Sequence, residues 1–232
     1  AIKIALGAVL PGNGSAHLID KTRVGVVLDQ PCWQATWRVR DLSRLLGPFY
    51  PGWDQRVFDE LCEWAGVSQR LKVREFSRGM GMKVQVAVAL AHRAELLVLD
   101  EPTSGLDPLA RSELLDKLSE FMTDERHSVL FSTHITTDLD RMADLITILD
   151  AGRVIASGAR DDLLEAWAMV RGGAADLTGE LRVRIRGLRQ HSAGWEGLIA
   201  AADLGLCGTG VLADTPSVED LLVHLTKERK DA

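Results

Sequence analysis

No apolar run in the chain reaches the roughly 18 residues that a bilayer-spanning helix needs. If the protein works at a membrane, another chain supplies the span. Its first residues show no basic stretch followed by an apolar run and a small-residue cleavage site, so nothing there reads as a secretory signal. Basic residues are in the minority, with 27 Lys and Arg against 33 Asp and Glu and a formal net charge of -6. That balance argues against nonspecific binding to nucleic acid, which depends on neutralising phosphates, and no nucleic-acid partner is expected. Cysteine is scarce: Cys32, Cys62 and Cys207 are odd in number, far apart and form no C-x-x-C pair. They read as reduced, partly buried thiols of a cytosolic protein. There is no internal repeat and no low-complexity tract.

What is present is a chain of 232 residues with 46% hydrophobic and 26% charged residues, the profile of a soluble globular protein. The length suits one large domain, or a core domain with a small appendage. Ile2 to Leu10 read as the body of an apolar helix that stops at the breakers Pro11-Gly12-Asn13-Gly14. With no capping residue ahead of it, the chain is expected to begin inside an element. Arg23 to Asp29 form a short buried strand. Val39, Leu42, Leu45 and Leu46 fall at helical spacing. After Pro48 and Pro51 a second helix starts at the N-cap Asp54, turns Val57, Phe58, Leu61 and Ala65 inward and ends at Gly66. Residues from about 38 to 75 are mostly helical, and with the helix after Gly79 the helical insert spans about 38–92. In that last helix Val84, Val86 and Val88 alternate as in a strand, but the Ala and Leu content and the length favour a buried helix.

Glu95 to Asp100 and Ser128 to His134 are apolar strands, with a helix marked by Leu114, Leu115, Leu118, Phe121 and Met122 between them. Leu145 to Leu149 and Arg153 to Ala156 make two more strands, joined through Gly152. Apolar strands alternating with amphipathic helices predict a parallel sheet covered on both faces, with ligands at the C-terminal strand edges. Asp100 and His134 lie at such edges. Beyond Gly173 the character changes. Leu181, Val183 and Ile185 alternate with Arg182, Arg184 and Arg186, which reads as a half-exposed strand with a solvated arginine face. Gly208 to Asp214 read as a further strand, and Ser217 caps a last helix carrying Leu221, Leu222 and Leu225.

Four segments carry chemistry. Phe76-Ser77-Arg78-Gly79-Met80 leads into a helix, where a hydroxyl and backbone N–H groups favour a phosphate. By itself this is also an ordinary helix cap. Leu96-Leu97-Val98-Leu99-Asp100-Glu101 delivers two acids to a sheet edge, Asp100 suited to hold Mg2+ and Glu101 to deprotonate a water. Pro102-Thr103-Ser104-Gly105-Leu106-Asp107-Pro108 follows at once, either as a contact loop or as a turn that Asp107 caps. His134 closes Ser132-Thr133-His134, 33 residues after Glu101.

Singly each segment has a structural reading, but their co-occurrence in this order resembles the ATPases of ABC transporters. The resemblance runs from about Ala1 to Gly158. It implies an α/β, P-loop NTPase-like parallel sheet flanked by helices, with a helical insert and a small C-terminal α+β appendage. The expected boundaries are 1–170 for the ATPase domain and 171–232 for the accessory domain. It implies ATP and Mg2+ as ligands. Ser77, Arg78, Gly79 and Met80 form the signature loop, which closes on the phosphate held by a second subunit. Asp100 belongs to the Walker B strand and Glu101 is the catalytic glutamate. Asp107 belongs to the D-loop and His134 is the switch histidine. The glutamine of the Q-loop aligns nearest Asp29, with Gln30 adjacent, so either can face the metal. The partners implied are a second ATPase subunit, identical or not, and a membrane-spanning chain. The location implied is the cytoplasmic face of the cell membrane, peripherally bound. Gly47 to Asp54 and Ser217 to Leu222 look like a bacterial exporter branch with separate ATPase and membrane chains.

Departures from the pattern matter. No G-x-x-x-x-G-K-[ST] occurs in the chain, and Gly12-Asn13-Gly14-Ser15 lacks the lysine and the following helix. Ala1-Ile2-Lys3 resembles the residues just after the phosphate loop. The resemblance therefore implies that the first strands, the adenine platform and that loop lie upstream, and that the link from Ile19 to Arg23 is short. Two other readings stand beside transport: a soluble ABC ATPase not involved in transport, and a non-catalytic or regulatory domain of the same type.

Overall fold

Residues 2–17 and 19–227 are described by a computed structural model. Ala1, where the family resemblance was expected to begin, lies outside them. The chain divides into two compact units, Ala1–His134 and Ile135–Ala232.

The first unit is built on three short β-branched and leucine-rich strands: β1 (Val24–Val27), β2 (Leu96–Asp100) and β3 (Ser128–Ser132). They form a parallel sheet in the order β1-β2-β3, with Val27 opposite Leu99, Leu99 opposite Phe131, and Asp100 opposite Ser132. The helices are α1 (Ile2–Ala5), α2 (Val39–Leu46), α3 (Gln55–Trp64), α4 (Arg78–Ala91) and α5 (Pro108–Phe121). Asp54 caps α3 by accepting from the N–H groups of Arg56 and Val57, and Gly66 ends it at a φ of 68°.

Helix α4 is buried nearly all round, with Met82, Val84, Val86, Ala87, Ala89 and Ala91 in the core. The segment is the helix that its Ala and Leu content and its length predict, and its valines alternate as in a strand because both faces of the helix are apolar and both have a neighbour. One face shares a core with Val39, Leu42, Phe58, Leu61 and Cys62 of the insert. The other lies on β1, where Gly25 has no room for a side chain: a Cβ there would stand 2.7 Å from the Cβ of Ala89 and 2.6 Å from Cδ2 of Leu97. Trp33, Trp37 and Trp53 are half-buried against the insert's core.

Two expectations for this unit are corrected. The first helix covers only Ile2–Ala5, because Gly7 turns the chain at a φ of 75° and Leu10 is left 88% exposed with no surface to pack on. The sheet is buried on both faces only at β2. Val26 and Leu130, on the same face as Val98 by register, remain 37% and 45% exposed.

The second unit holds α6 (Thr136–Met142), the hairpin β4 (Leu145–Asp150) and β5 (Arg153–Ala159), and α7 (Arg160–Glu165). There follow β6 (Trp167–Gly172), α8 (Gly179–Arg184), β7 (Arg186–His191), β8 (Gly194–Ala200), β9 (Leu212–Asp214) and α9 (Val218–Lys227). Strands β7-β8-β6-β9 make an antiparallel sheet. The β4-β5 pair, expected in the parallel sheet, is a separate antiparallel hairpin turning through Ala151 and Gly152, both at positive φ. Ile146 and Ile148 of β4 share a core with Met169, Leu198, Val218 and Leu221. The boundary expected at 170/171 therefore falls inside β6.

Residues 181–184 are corrected from strand to helix. Thr178 accepts from the N–H of Leu181 as an N-cap, and Leu181 and Ile185, one helical turn apart, are the buried pair. Val183, which the alternation required inside, is 80% exposed.

Candidate functional site

The register of β2 and β3 sets Asp100 beside Ser132 at the C-terminal edge of the sheet. Ser132 Oγ donates to Asp100 Oδ1 at 2.8 Å. The backbone N–H of Glu101 is shared by the carbonyl oxygen of Ser132 at 3.1 Å and its Oγ at 3.2 Å. Glu101 has a φ of 51°, a left-handed conformation that costs a non-glycine residue about 1–3 kcal/mol. The two bonds to Ser132 hold it there. The turn sends the Glu101 side chain to His134, whose Nδ1 lies 2.7 Å from Oε2. An ionised carboxylate only accepts, so Nδ1 carries the proton in this pair and Nε2 is left for another partner. The His134 and Glu101 side chains are 69% and 32% exposed, which leaves the pair open to a ligand.

The second part of the site is built by α4. Gln85 is buried, yet its amide continues the sheet's hydrogen bonding: Nε2 donates to the Leu28 carbonyl at 2.9 Å and Oε1 accepts from the Leu28 N–H at 3.1 Å. This pins the chain just beyond β1 and so fixes the root of Asp29. At the N-terminus of α4, Ser77 Oγ caps the helix by accepting from Met80 N–H at 3.2 Å. Arg78 reaches Asp29 Oδ1 at 2.5 Å and the carbonyl of Ser104 at 2.5 Å. Met80 packs on the helical core. Gly79 stands in ordinary contact with Ala110, at 3.4 Å from the position a Cβ would take. Asp107 caps α5 by accepting from Leu109 and Ala110 at 3.1 and 3.0 Å.

The sequence-derived candidates thus fall into two clusters within the first unit: Asp100, Glu101 and His134 around Ser132, and Ser77, Arg78 and Asp29 around the start of α4. Gln30 is exposed. Asp29, a metal candidate, is here the counter-ion of Arg78. Ser132, Gln85 and Ser104 were not singled out from sequence. The Ser-Thr-His run was the only signal for Ser132. A lone glutamine in an apolar helix was the available signal for Gln85.

Among the described residues no group of three or more His, Cys, Asp or Glu side chains gathers to enclose a metal. Mg2+ keeps waters and phosphate oxygens and takes only one or two protein carboxylates. Asp100, half-buried and with Oδ1 oriented by Ser132, has the hard oxygen such an ion requires.

A parallel sheet with an acid pair and a histidine at its C-terminal edge presents them where sheets of this type bind ligands, and the same unit offers a capped helix N-terminus. Comparison with known proteins narrows this. Residues 63–139 match the family model described as "AAA domain, putative AbiEii toxin, Type IV TA system". The chain is 30% identical over 178 residues to an uncharacterised ABC transporter ATP-binding protein of Nostoc sp., covering 70% of this chain and 53% of that protein. It is 30% identical over 181 residues to the Nod factor export ATP-binding protein I of Cupriavidus pinatubonensis, covering 71% of this chain and 55% of that one. A solved ATP-binding subunit of an ABC transporter superposes with a TM-score of 0.59 at 29% identity, covering 70% of this chain and 73% of that one. The chain belongs to the family of ABC transporter ATP-binding proteins. It spans about half the length of the curated relatives it matches. Among the described residues no helix is long and apolar enough to cross a membrane.

Proposed function

We propose that the chain belongs to an ATP-hydrolysing subunit that powers a separate membrane-spanning partner, with Glu101 as the carboxylate that does the chemistry and His134 Nδ1 at 2.7 Å from its Oε2. That Glu101–His134 pair is the observation that carries the reading. Glu101 takes a proton from water attacking the terminal phosphate, and His134 orients Glu101 through Nδ1 while its Nε2 faces the phosphate. Asp100, oriented by Ser132, would hold Mg2+, which would neutralise charge on the phosphates. Ser77 and Gly79, with the N–H groups at the start of α4, close on a nucleotide held by a second subunit, identical or not. Asp107 serves chiefly as the cap of α5 and so shapes the loop facing that second subunit. No segment of the 232 residues reads G-x-x-x-x-G-K-[ST], so these residues by themselves bind ATP weakly.

The relatives named for Nod factor export, linearmycin resistance and bacitracin transport support an export role, and the location proposed with it is the cytoplasmic face of a membrane. The insert is the surface proposed to meet the membrane chain, since it alone departs from strand-helix alternation. The reading is tested by comparing Glu101→Gln and Asp100→Asn in the assembled transporter. Glu101→Gln retains ATP binding and loses roughly 10²–10⁴-fold in turnover, the usual worth of a general base. Asp100→Asn weakens Mg2+-dependent ATP binding itself. Near-normal turnover in Glu101→Gln would place the base elsewhere.

A further inference from the structure

Arg78 touches two of the loops that frame the site and braces a third position between them. It is the first residue of α4. Nη2 donates to Asp29 Oδ1 beyond β1, and Nε donates to the carbonyl of Ser104 in the loop after Glu101, each at 2.5 Å. Gly105 then passes under the guanidinium at a φ of 68°. A Cβ on Gly105 would stand 3.0 Å from Nε and 3.2 Å from Cδ of Arg78, so a side chain there would disturb the contact. The loop leads back to Glu101, because the Ser104 N–H donates to the Glu101 carbonyl at 3.2 Å.

We propose that Arg78 is a positioning residue whose forked contact couples Asp29 to the loop at Ser104–Gly105, so that the two are released together. This rests on the ATP reading above for what Asp29 and the start of α4 would otherwise face. In that reading Asp29 sits on the metal side and Arg78 on the phosphate side. Paired with each other they neutralise both charges, and a ligand engaging either must take the pair apart. The coupling is a matter of shape. An exposed ion pair contributes little to stability alone, and these side chains are 36% and 49% exposed. A planar guanidinium, however, directs two N–H bonds to two acceptors at fixed angles, which a lysine ammonium on its flexible stem does not reproduce. Arg78 is not needed to start α4, since Ser77 supplies the cap.

The test is native-state hydrogen exchange on the 232-residue chain without nucleotide. The N–H groups of Ser104 and Leu106, bonded to the Glu101 and Thr103 carbonyls, are the reporters. Arg78→Ala and Asp29→Asn should each speed their exchange about two- to fivefold, the range given by one exposed ion pair in a fixed geometry. Arg78→Lys should fail to restore protection, and the double variant Arg78→Ala/Asp29→Asn should exchange no faster than Arg78→Ala. Amides in the middle of α4 should be unchanged. Unaltered Ser104 and Leu106 exchange in Arg78→Ala would overturn the coupling. So would an effect of Arg78→Ala with none from Asp29→Asn, or full protection in Arg78→Lys. Because no nucleotide is used, the coupling can hold even if the ATP reading fails, and the reverse.

Discussion

Replacing Ser132 with alanine deletes one hydroxyl that serves two neighbours. Its Oγ donates to Asp100 Oδ1 at 2.8 Å and shares the Glu101 N–H at 3.2 Å. A hydrogen bond to a charged group contributes about 1.5–3 kcal/mol, and partial exposure at this edge reduces that toward about 1–2 kcal/mol. The Glu101 N–H keeps its bond to the Ser132 carbonyl at 3.1 Å, so no backbone donor is stranded. The loss is therefore that of Asp100's partner and of part of the support for a left-handed Glu101. Urea unfolding of the chain measures it, with Ser132→Thr as the variant that keeps a hydroxyl. The expected outcome is a loss of about 1–2 kcal/mol in Ser132→Ala and a smaller one in Ser132→Thr. A Ser132→Ala protein as stable as the original would refute the bridging role.

In the second unit, Leu181→Ala should destabilise by about 2–5 kcal/mol while Val183→Ala stays within about 0.5 kcal/mol; equal losses in thermal melts would restore the strand reading. His92 is buried against Tyr50 at 4.1 Å between ring centres, its Nδ1 has no partner among the described residues, and burial holds its pKa below the ordinary 6.5. A depressed folded-state pKa means that the unfolded state binds the proton more tightly. Its contribution is therefore complete above about pH 6.5 and is lost as pH falls through the folded value, so His92→Asn should flatten the acid side of a stability–pH curve. Burial pushes the Cys62 thiol up to about 12, whereas Cys32 is exposed. A thiol reagent at neutral pH should label Cys32 first and Cys62 only on unfolding, and native-state labelling of Cys62 would contradict its placement in the core.

Much of the first unit was legible because its signals are local. Asp54 and Gly66 bound α3 through capping and a left-handed glycine, and the apolar run ending in Asp100-Glu101 set both strand and acids. What was not legible depends on neighbours. At 181–185 two periods compete, and only the burial of Leu181 with Ile185 selects the helical one. The β4 and β5 strands were found, but an apolar run does not state its pairing partner, so the hairpin was assigned to the wrong sheet. In the site, Glu101 was read from its place at the end of an apolar strand, and His134 from the family resemblance. Ser132, Gln85 and the Arg78 contacts arise from register and helix docking, which no spacing encodes.

The sharing of each ATP site between two subunits is tested most directly by mixing defective subunits that also carry the family's phosphate loop. One carries Glu101→Gln, the other Gly79→Asp, and each alone forms only inactive pairs. In a mixed pair one site receives both defects and the other receives neither. Random pairing makes half of the dimers mixed, each with one intact site, so turnover should recover to about a quarter of the unmodified level if the sites act independently. If Glu101 and Gly79 served the same site within one chain, every subunit would remain defective, and no recovery on mixing would contradict the shared site.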